Sequence, residues 1–343
     1  MLRLAPLVAP ESIWVCTTAE LAEAVRRELP EVPPAQVLCE PEGRNTAAAI
    51  GWSVRSMPEP VRRGLVAVLP ADHRVGDPAA FRAALARAAR AAEGDLRAPD
   101  RPGAGGEADP GGSGSPEPGA SGALGGVGEP PVVTLGVVPR WAETGYGYLE
   151  VEPEAGEEGL RRVRRFVEKP DAATAAGYLA SGRHFWNAGI FVFRGTTLLE
   201  LLARWQPELA RGLERIAADP ASQAEIYARL PAESIDYALM EKLQGLAMVP
   251  LDCGWSDLGS WAALAEVLPA GDELGNRGRG DTLAVDAGGN LLFSDRGTIA
   301  VLGVEGLVVV RTEDAVLVVP RERSQEVRRL IAALAERGRQ DLL

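Results

Sequence analysis

The sequence predicts an α/β protein: a mostly parallel sheet with helices on both faces over residues 1–270, then a small all-β unit with a terminal helix over 271–343. Three observations carry this. Apolar runs of four to seven residues alternate with helical patterns through the first two thirds, as in a sheet covered on both faces. After Gly271 short apolar stretches recur with Gly, Asp and Asn between them and no helix before 324. The 343 residues, 46% of them hydrophobic, suffice for one large and one small unit.

Taken in order, residues 13–17 read as a strand, 21–29 as a helix, 36–39 as a strand and 46–57 as a helix. A strand at 65–69 ends on Pro70-Ala71-Asp72-His73. A helix at 81–92 and a buried strand at 132–138 flank residues 98–130, where Gly and Pro supply 17 of 33 positions and no aromatic appears. Such a segment cannot bury enough apolar surface to offset its ordering entropy. It reads as a dispensable, disordered insertion within one domain. Further strands are expected at 165–167, 189–193 and 246–250, and helices at 197–217 and 261–267. Strands at 282–285, 290–294, 298–302, 307–311 and 315–319 are spaced as in a β-helix or small barrel, before a helix at 324–337.

Charge and composition exclude several classes. A net charge of −12 argues against a nucleic-acid partner. No apolar run approaches a membrane span, and the first residues lack the core of a signal peptide. Three scattered cysteines give neither a zinc spacing nor a disulfide framework. The expectation is a cytoplasmic protein with reduced thiols, with no nucleic acid or membrane as partner, and the composition leaves a homo-oligomer open. His73 and His184 are the only histidines and complete no Ser–His–Asp set.

Several short motifs carry polar groups at strand ends, where open sheets gather ligands. Asp72 follows an apolar strand and could hold Mg²⁺ against phosphates, or simply cap the next helix. Asp257, in Trp255-Ser256-Asp257-Leu258-Gly259, admits the same two readings. Glu40 and Arg44-Asn45-Thr46 open a helix of small residues; they could present groups to a base or ribose, or only cap it. Gly145 lies in a Gly-Tyr-Gly turn. Glu168 and Lys169 pair an acid with a cation at a strand end: sugar-hydroxyl acceptor and phosphate charge, or an ordinary ion pair. Asn187 stands just before an apolar strand and can both donate and accept, as a diol requires. Ser234-Ile235-Asp236-Tyr237 and Met240-Glu241-Lys242 read as mostly structural buttresses.

In this order EPEGRNTAAAI, LPADH, TGYGYLE, FVEKP, FWNAGIFVF, SIDYALMEK and WSDLGSW resemble the mannose-1-phosphate guanylyltransferases, among the nucleotide-sugar pyrophosphorylases. The resemblance runs to about residue 268, and the tail is similar to that family's β-helix-like domain. It implies a Rossmann-like nucleotidyltransferase that joins GMP from GTP to mannose 1-phosphate, releasing pyrophosphate. It implies Mg²⁺ at Asp72 and Asp257, whose carboxylates should then face one cleft. It places Glu40, Arg44, Asn45 and Thr46 toward the guanosine, and Gly145, Glu168 and Asn187 toward the sugar. Lys169 falls by the sugar phosphate, as the catalytic cation. The family's opening strand, Gly-rich loop, Arg and Pro-Lys have no counterpart here; residues 1–7 match the end of its first helix. A strand–loop–helix unit of roughly 30 or more residues is therefore expected upstream, and without it the 343-residue chain is expected to be inactive or poorly soluble. The competing readings are a catalytically inactive nucleotide-sugar-binding paralogue or fragment, and a nucleotidylyltransferase for another sugar 1-phosphate or nucleotide.

Overall fold

The computed structural model describes residues 3–98, 132–268 and 271–342. The expected insertion at 98–130 lies, apart from Ala98, outside the described residues. Backbone contacts divide the chain into two compact units. The first holds residues up to 71 and 75–255; the second holds 72–74 and 256 onward.

In the first unit, β1 (Val15–Thr18), α1 (Ala19–Glu28), β2 (Val37–Glu40), α2 (Asn45–Ser56), α3 (Glu59–Arg63), β3 (Leu65–Val68) and α4 (Pro78–Glu93) follow one another. Then come β4 (Val132–Val137), β5 (Tyr148–Val151), β6 (Arg161–Val167), α5 (Ala172–Ser181) and β7 (His184–Arg194). Helices α6 (Gly195–Trp205), α7 (Pro207–Ala218), α8 (Gln223–Tyr227) and α9 (Ile235–Ala238) precede β8 (Leu246–Leu251). The helix expected over 197–217 is two: Pro207 lacks an amide proton, and Gln206 before it leaves helical geometry at φ −134°, ψ 59°.

The main sheet runs β3-β7-β4-β8-β6-β5, and β1 and β2 form a separate parallel pair. The α/β class is as expected, but the main sheet is not the mostly parallel one expected: among the described residues only β4–β8 pair parallel, and its other pairings are antiparallel. β4 and β8 run parallel, while β7 lies antiparallel between β3 and β4. Alternate residues feed two cores. Val132, Phe191, Phe193, Leu246 and Met248 meet α2, α6 and α7 on one face. Val133, Leu135, Val192, Ala247 and Val249 meet α4 on the other. A large apolar side chain buried in this way contributes about 1.5–3 kcal/mol. Asp77 caps α4 by accepting from the amides of Ala79 and Ala80, and Gly94, at φ +89°, ends it.

In the second unit α10 (Trp261–Val267) precedes β9 (Arg277–Val285), β10 (Leu291–Leu302), β11 (Leu307–Arg311), β12 (Val316–Pro320) and α11 (Val327–Glu336). β9, β10 and β11 are parallel neighbours, with Arg277, Leu291 and Val308 in register. The connections between them are too short for a helical crossover, so the chain coils, each rung stacking on the last. Buried Asn276 and Asn290 stack at one corner: Asn290 Nδ2 donates to Asn276 Oδ1 at 2.9 Å, and the Leu307 amide to Asn290 Oδ1 at 2.8 Å. The units divide at 255/256, earlier than the division expected at 270/271. Trp261 and Ala265 of α10 join the core of Leu291, Val308 and Val310, and Arg277 donates to the carbonyls of Ala265 and Leu268.

Candidate active site

The best-built polar site lies in the first unit, around Asn187. β7 carries a bulge there: Thr134 pairs with Phe191 and Gly136 with Asn187, so three residues of β7 answer one of β4. Gly189 takes up the bulge at φ +66°, a conformation cheap only for glycine. The extra residues turn the Asn187 carboxamide into a set of partners. Its Oδ1 accepts from the Gly189 amide at 3.2 Å and lies 3.1 Å from the Thr134 hydroxyl. Its Nδ2 donates to Asp236 Oδ1 at 3.1 Å.

Glu168 and Lys169 follow β6. Lys169 Nζ stands 3.5 Å from Glu168 Oε1, with the lysine side chain 59% exposed and the glutamate 12%. Lys169 itself sits at φ +47°, costly for a non-glycine by about 1–2 kcal/mol, and its amide donates to the Tyr146 carbonyl. Burial, then the nearby charge of Asp236, pushes the Glu168 carboxyl up to about 7, against the pull of Lys169. Burial also raises Asp236. A Cβ at Gly147 would press on Glu168 Oε2, the far end of a flexible side chain. The Gly147 carbonyl accepts from the Asn187 amide at 2.8 Å. Glu241 Oε1 receives the Glu168 amide at 3.1 Å. Gly145 is held nearby in the chain, its amide donating to the buried Glu143 carboxylate at 2.8 Å. A carboxamide, carboxylates and one exposed ammonium thus share a compact region, able to bind hydroxyls and an anion together.

On the nucleotide side, the predicted residues cluster around the start of α2. Glu40 Oε1 accepts from the Tyr227 hydroxyl at 2.5 Å. Tyr227 is fully buried, edge-on to Trp52, and its hydroxyl is raised by burial and by this carboxylate. Asn45, at φ +63°, accepts the Thr46 amide. The Thr46 hydroxyl accepts the Ile235 amide at 2.8 Å. Arg44 pairs with Glu42 at 2.6 Å, and its buried Nε meets no acceptor among the described residues. Of the four, Glu40 and Thr46 have polar atoms already engaged by protein partners, whereas the Arg44 Nε is buried without one among the described residues.

Asp72 and Asp257 belong to the second unit. An isolated antiparallel bridge between Arg74 and Ser256 sets their segments side by side, with the Arg74 amide donating to the Ser256 carbonyl at 2.8 Å. Asp72 is exposed; Asp257 is half-buried, and its Oδ1 accepts the Gly259 amide at 2.9 Å. Two carboxylates suit Mg²⁺, which keeps waters and substrate phosphates in its remaining positions. Among the described residues no cluster of three or more His, Cys, Asp or Glu side chains could hold a metal.

The sequence reading treats Asp236 and Glu241 as buttresses; the structure puts both against the predicted sugar residues. Tyr227 escapes that reading. Nothing in its sequence surroundings pairs it with Glu40, which lies 187 positions away.

Comparison with known proteins bears on this arrangement. Residues 128–272 match the nucleotidyl transferase family, and residues 280–334 match the mannose-phosphate isomerase/GMP-like β-helix domain. A crystal structure titled mannose-1-phosphate geranyltransferase, from Thermus thermophilus, is 36% identical, with a TM-score of 0.76; the alignment covers 97% of this chain and 87% of that one. The chain belongs to the mannose-1-phosphate guanylyltransferase family of nucleotidyl transferases. The xanthan biosynthesis protein XanB of Xanthomonas campestris is 38% identical over 99% of this chain, and a Klebsiella pneumoniae mannose-1-phosphate guanylyltransferase 36% over 89%. The chain spans 66% and 59% of the lengths of those two relatives. Family membership accounts for the β-rich second unit as well as the first. No helix among the described residues is long and apolar enough to cross a membrane.

Proposed function

We propose that this protein transfers GMP from GTP to mannose 1-phosphate, forming GDP-mannose and pyrophosphate. The observation that carries the reading is the grouping of Asn187, Asp236, Glu168 and Lys169 in a family whose relatives bear that name. A sugar 1-phosphate presents a diol and a dianion on one small molecule. Asn187 and Glu168 would hold hydroxyls, and Lys169 Nζ would meet the phosphate as a point charge. A phosphate oxygen of the sugar attacks the α-phosphorus in line, the bond to the β-phosphate oxygen breaks, and pyrophosphate carries the electron pair away. The attacking oxygen is already anionic, so the chain needs no general base for that step. The residues' work is to align two polyanions and offset their repulsion.

Asp72 and Asp257 would hold Mg²⁺, which supplies charge neutralisation for the triphosphate. Arg44, whose guanidinium pairs with Glu42 at the start of α2, would contribute on the nucleotide side.

The test is calorimetry of the full chain with mannose 1-phosphate and with GTP, followed by a pyrophosphate-release assay with Mg²⁺. Binding of mannose 1-phosphate over glucose 1-phosphate, and GTP over ATP, is expected. Equal affinity for both sugars, or binding of neither, would overturn the reading.

A further inference from the structure

The segment 233–238 touches both halves of the candidate site. From the nucleotide side, the Thr46 hydroxyl takes the Ile235 amide at 2.8 Å, and the Ala47 amide donates to the Glu233 carbonyl at 3.1 Å. These two bonds join the first turn of α2 to the entry of α9. From the sugar side, Asp236 receives the Asn187 carboxamide at 3.1 Å. Gln206 closes the segment from behind, its Nε2 donating to Glu233 Oε2 at 2.9 Å and the Ala238 carbonyl at 3.1 Å. Ser234 caps α9 by accepting the Tyr237 amide. α9 is a single turn of four residues, too short to hold its own shape without such anchors.

We infer that Thr46 is a positioning residue for the sugar side: through the Ile235 amide it fixes α9, and α9 fixes the Asp236 carboxylate that orients Asn187. This rests on the guanylyltransferase reading but reassigns Thr46, whose sequence position suggested a nucleotide contact. Its hydroxyl oxygen accepts a backbone donor from the sugar-side segment. The link is direct and local: Ile235 and Asp236 are consecutive, so a shift of the Ile235 amide moves the Asp236 backbone with it. Asn187 has its other end fixed by Gly189 and Thr134. Losing the Asp236 anchor would therefore free the Nδ2 end of the carboxamide while Oδ1 stays put.

The experiment compares Thr46→Val, which keeps shape and removes the hydroxyl, with Thr46→Ser, which keeps the hydroxyl. Calorimetry on the full chain reads mannose 1-phosphate and GTP separately. Thr46→Val should weaken mannose 1-phosphate about tenfold, the scale of one net hydrogen bond, with GTP changed less than about twofold, and Thr46→Ser should restore it. Loss of GTP affinity alone, or equal loss of both ligands, would overturn the inference, as would a Thr46→Ser variant as weak as Thr46→Val. Hydrogen exchange at the Ile235 and Asp236 amides provides an arm independent of ligand. Faster exchange there in Thr46→Val, reversed in Thr46→Ser, is expected; unchanged exchange overturns the inference. A parent chain that binds neither ligand sinks the guanylyltransferase reading, and the exchange result still decides the role of Thr46.

Discussion

The two halves of the candidate site are built on opposite plans. On the sugar side, Asn187 and Glu168 are anchored at their backbones and partly at their side chains, and an exposed ammonium stands beside them. On the nucleotide side, the corresponding motif turns inward: Glu40 binds a buried tyrosine and Thr46 binds a backbone amide. Asn187 is engaged at both ends of its carboxamide as well, so what distinguishes the predicted sugar side is the exposed Lys169 ammonium beside it.

This contrast can be broken by substitution. The largest effect should come from Asn187→Ala. It removes the carboxamide that the bulge presents, and affinity for mannose 1-phosphate, read by calorimetry, should fall about 100-fold, about 2.7 kcal/mol, with GTP affinity nearly unchanged. Equal loss for both substrates would make Asn187 scaffold, like Glu40. Next is Tyr227→Phe, which leaves the Glu40 carboxylate without its buried donor. Stability should fall by about 1–3 kcal/mol, read as a lower midpoint in urea, while the KM for mannose 1-phosphate stays put. A normal midpoint with lost GTP binding would place Glu40 on the ligand after all.

Gly147→Ala should act more gently. The new methyl must push Glu168 Oε2 aside, which a flexible carboxylate can do, so mannose 1-phosphate should weaken by about three- to tenfold, on the order of 1 kcal/mol. The smallest effect is a pH trend. Glu168 binds its proton more tightly in the folded state, at about 7 against an ordinary 4.5. The folded state then holds more protons across that window, so this group's contribution to stability is full below about 4.5 and lost as pH rises through about 7. Relative to the parent, Glu168→Gln should gain melting temperature between those limits and no further above them. A difference that does not change with pH would show that Glu168 titrates normally.

Much of this was legible in the chain. The alternation of apolar runs located β4, β7 and β8 because both faces of those strands are buried, and burial is what an apolar run records. β5 was missed, since Glu150 interrupts a short run that directly follows a Gly-Tyr-Gly turn. The division of the long helix at Pro207 was readable from the proline itself. The second unit's strands followed from their spacing except that those expected at 290–294 and 298–302 are one, β10; the Asn276–Asn290 stack was not legible, because two asparagines in turns look alike whether they face water or each other. The site residues were found as motifs; their partners were not. That Thr46 meets Ile235, or Glu40 meets Tyr227, is fixed by packing between segments nearly two hundred positions apart, and no local pattern encodes it.

The bulge in β7 has a practical corollary for protein engineering. One strand pairs with β5 at its start, β4 in its middle and β3 at its end, and the carboxamide sits where the pairing slips. Residues 184–194 and 233–241 are therefore coupled to each other and, through Thr46, to the start of α2. Exchanged as a pair between homologues, with Thr134 and Thr46 matched, they should carry acceptor preference with them; exchanged singly, each would arrive without the neighbour that aims it.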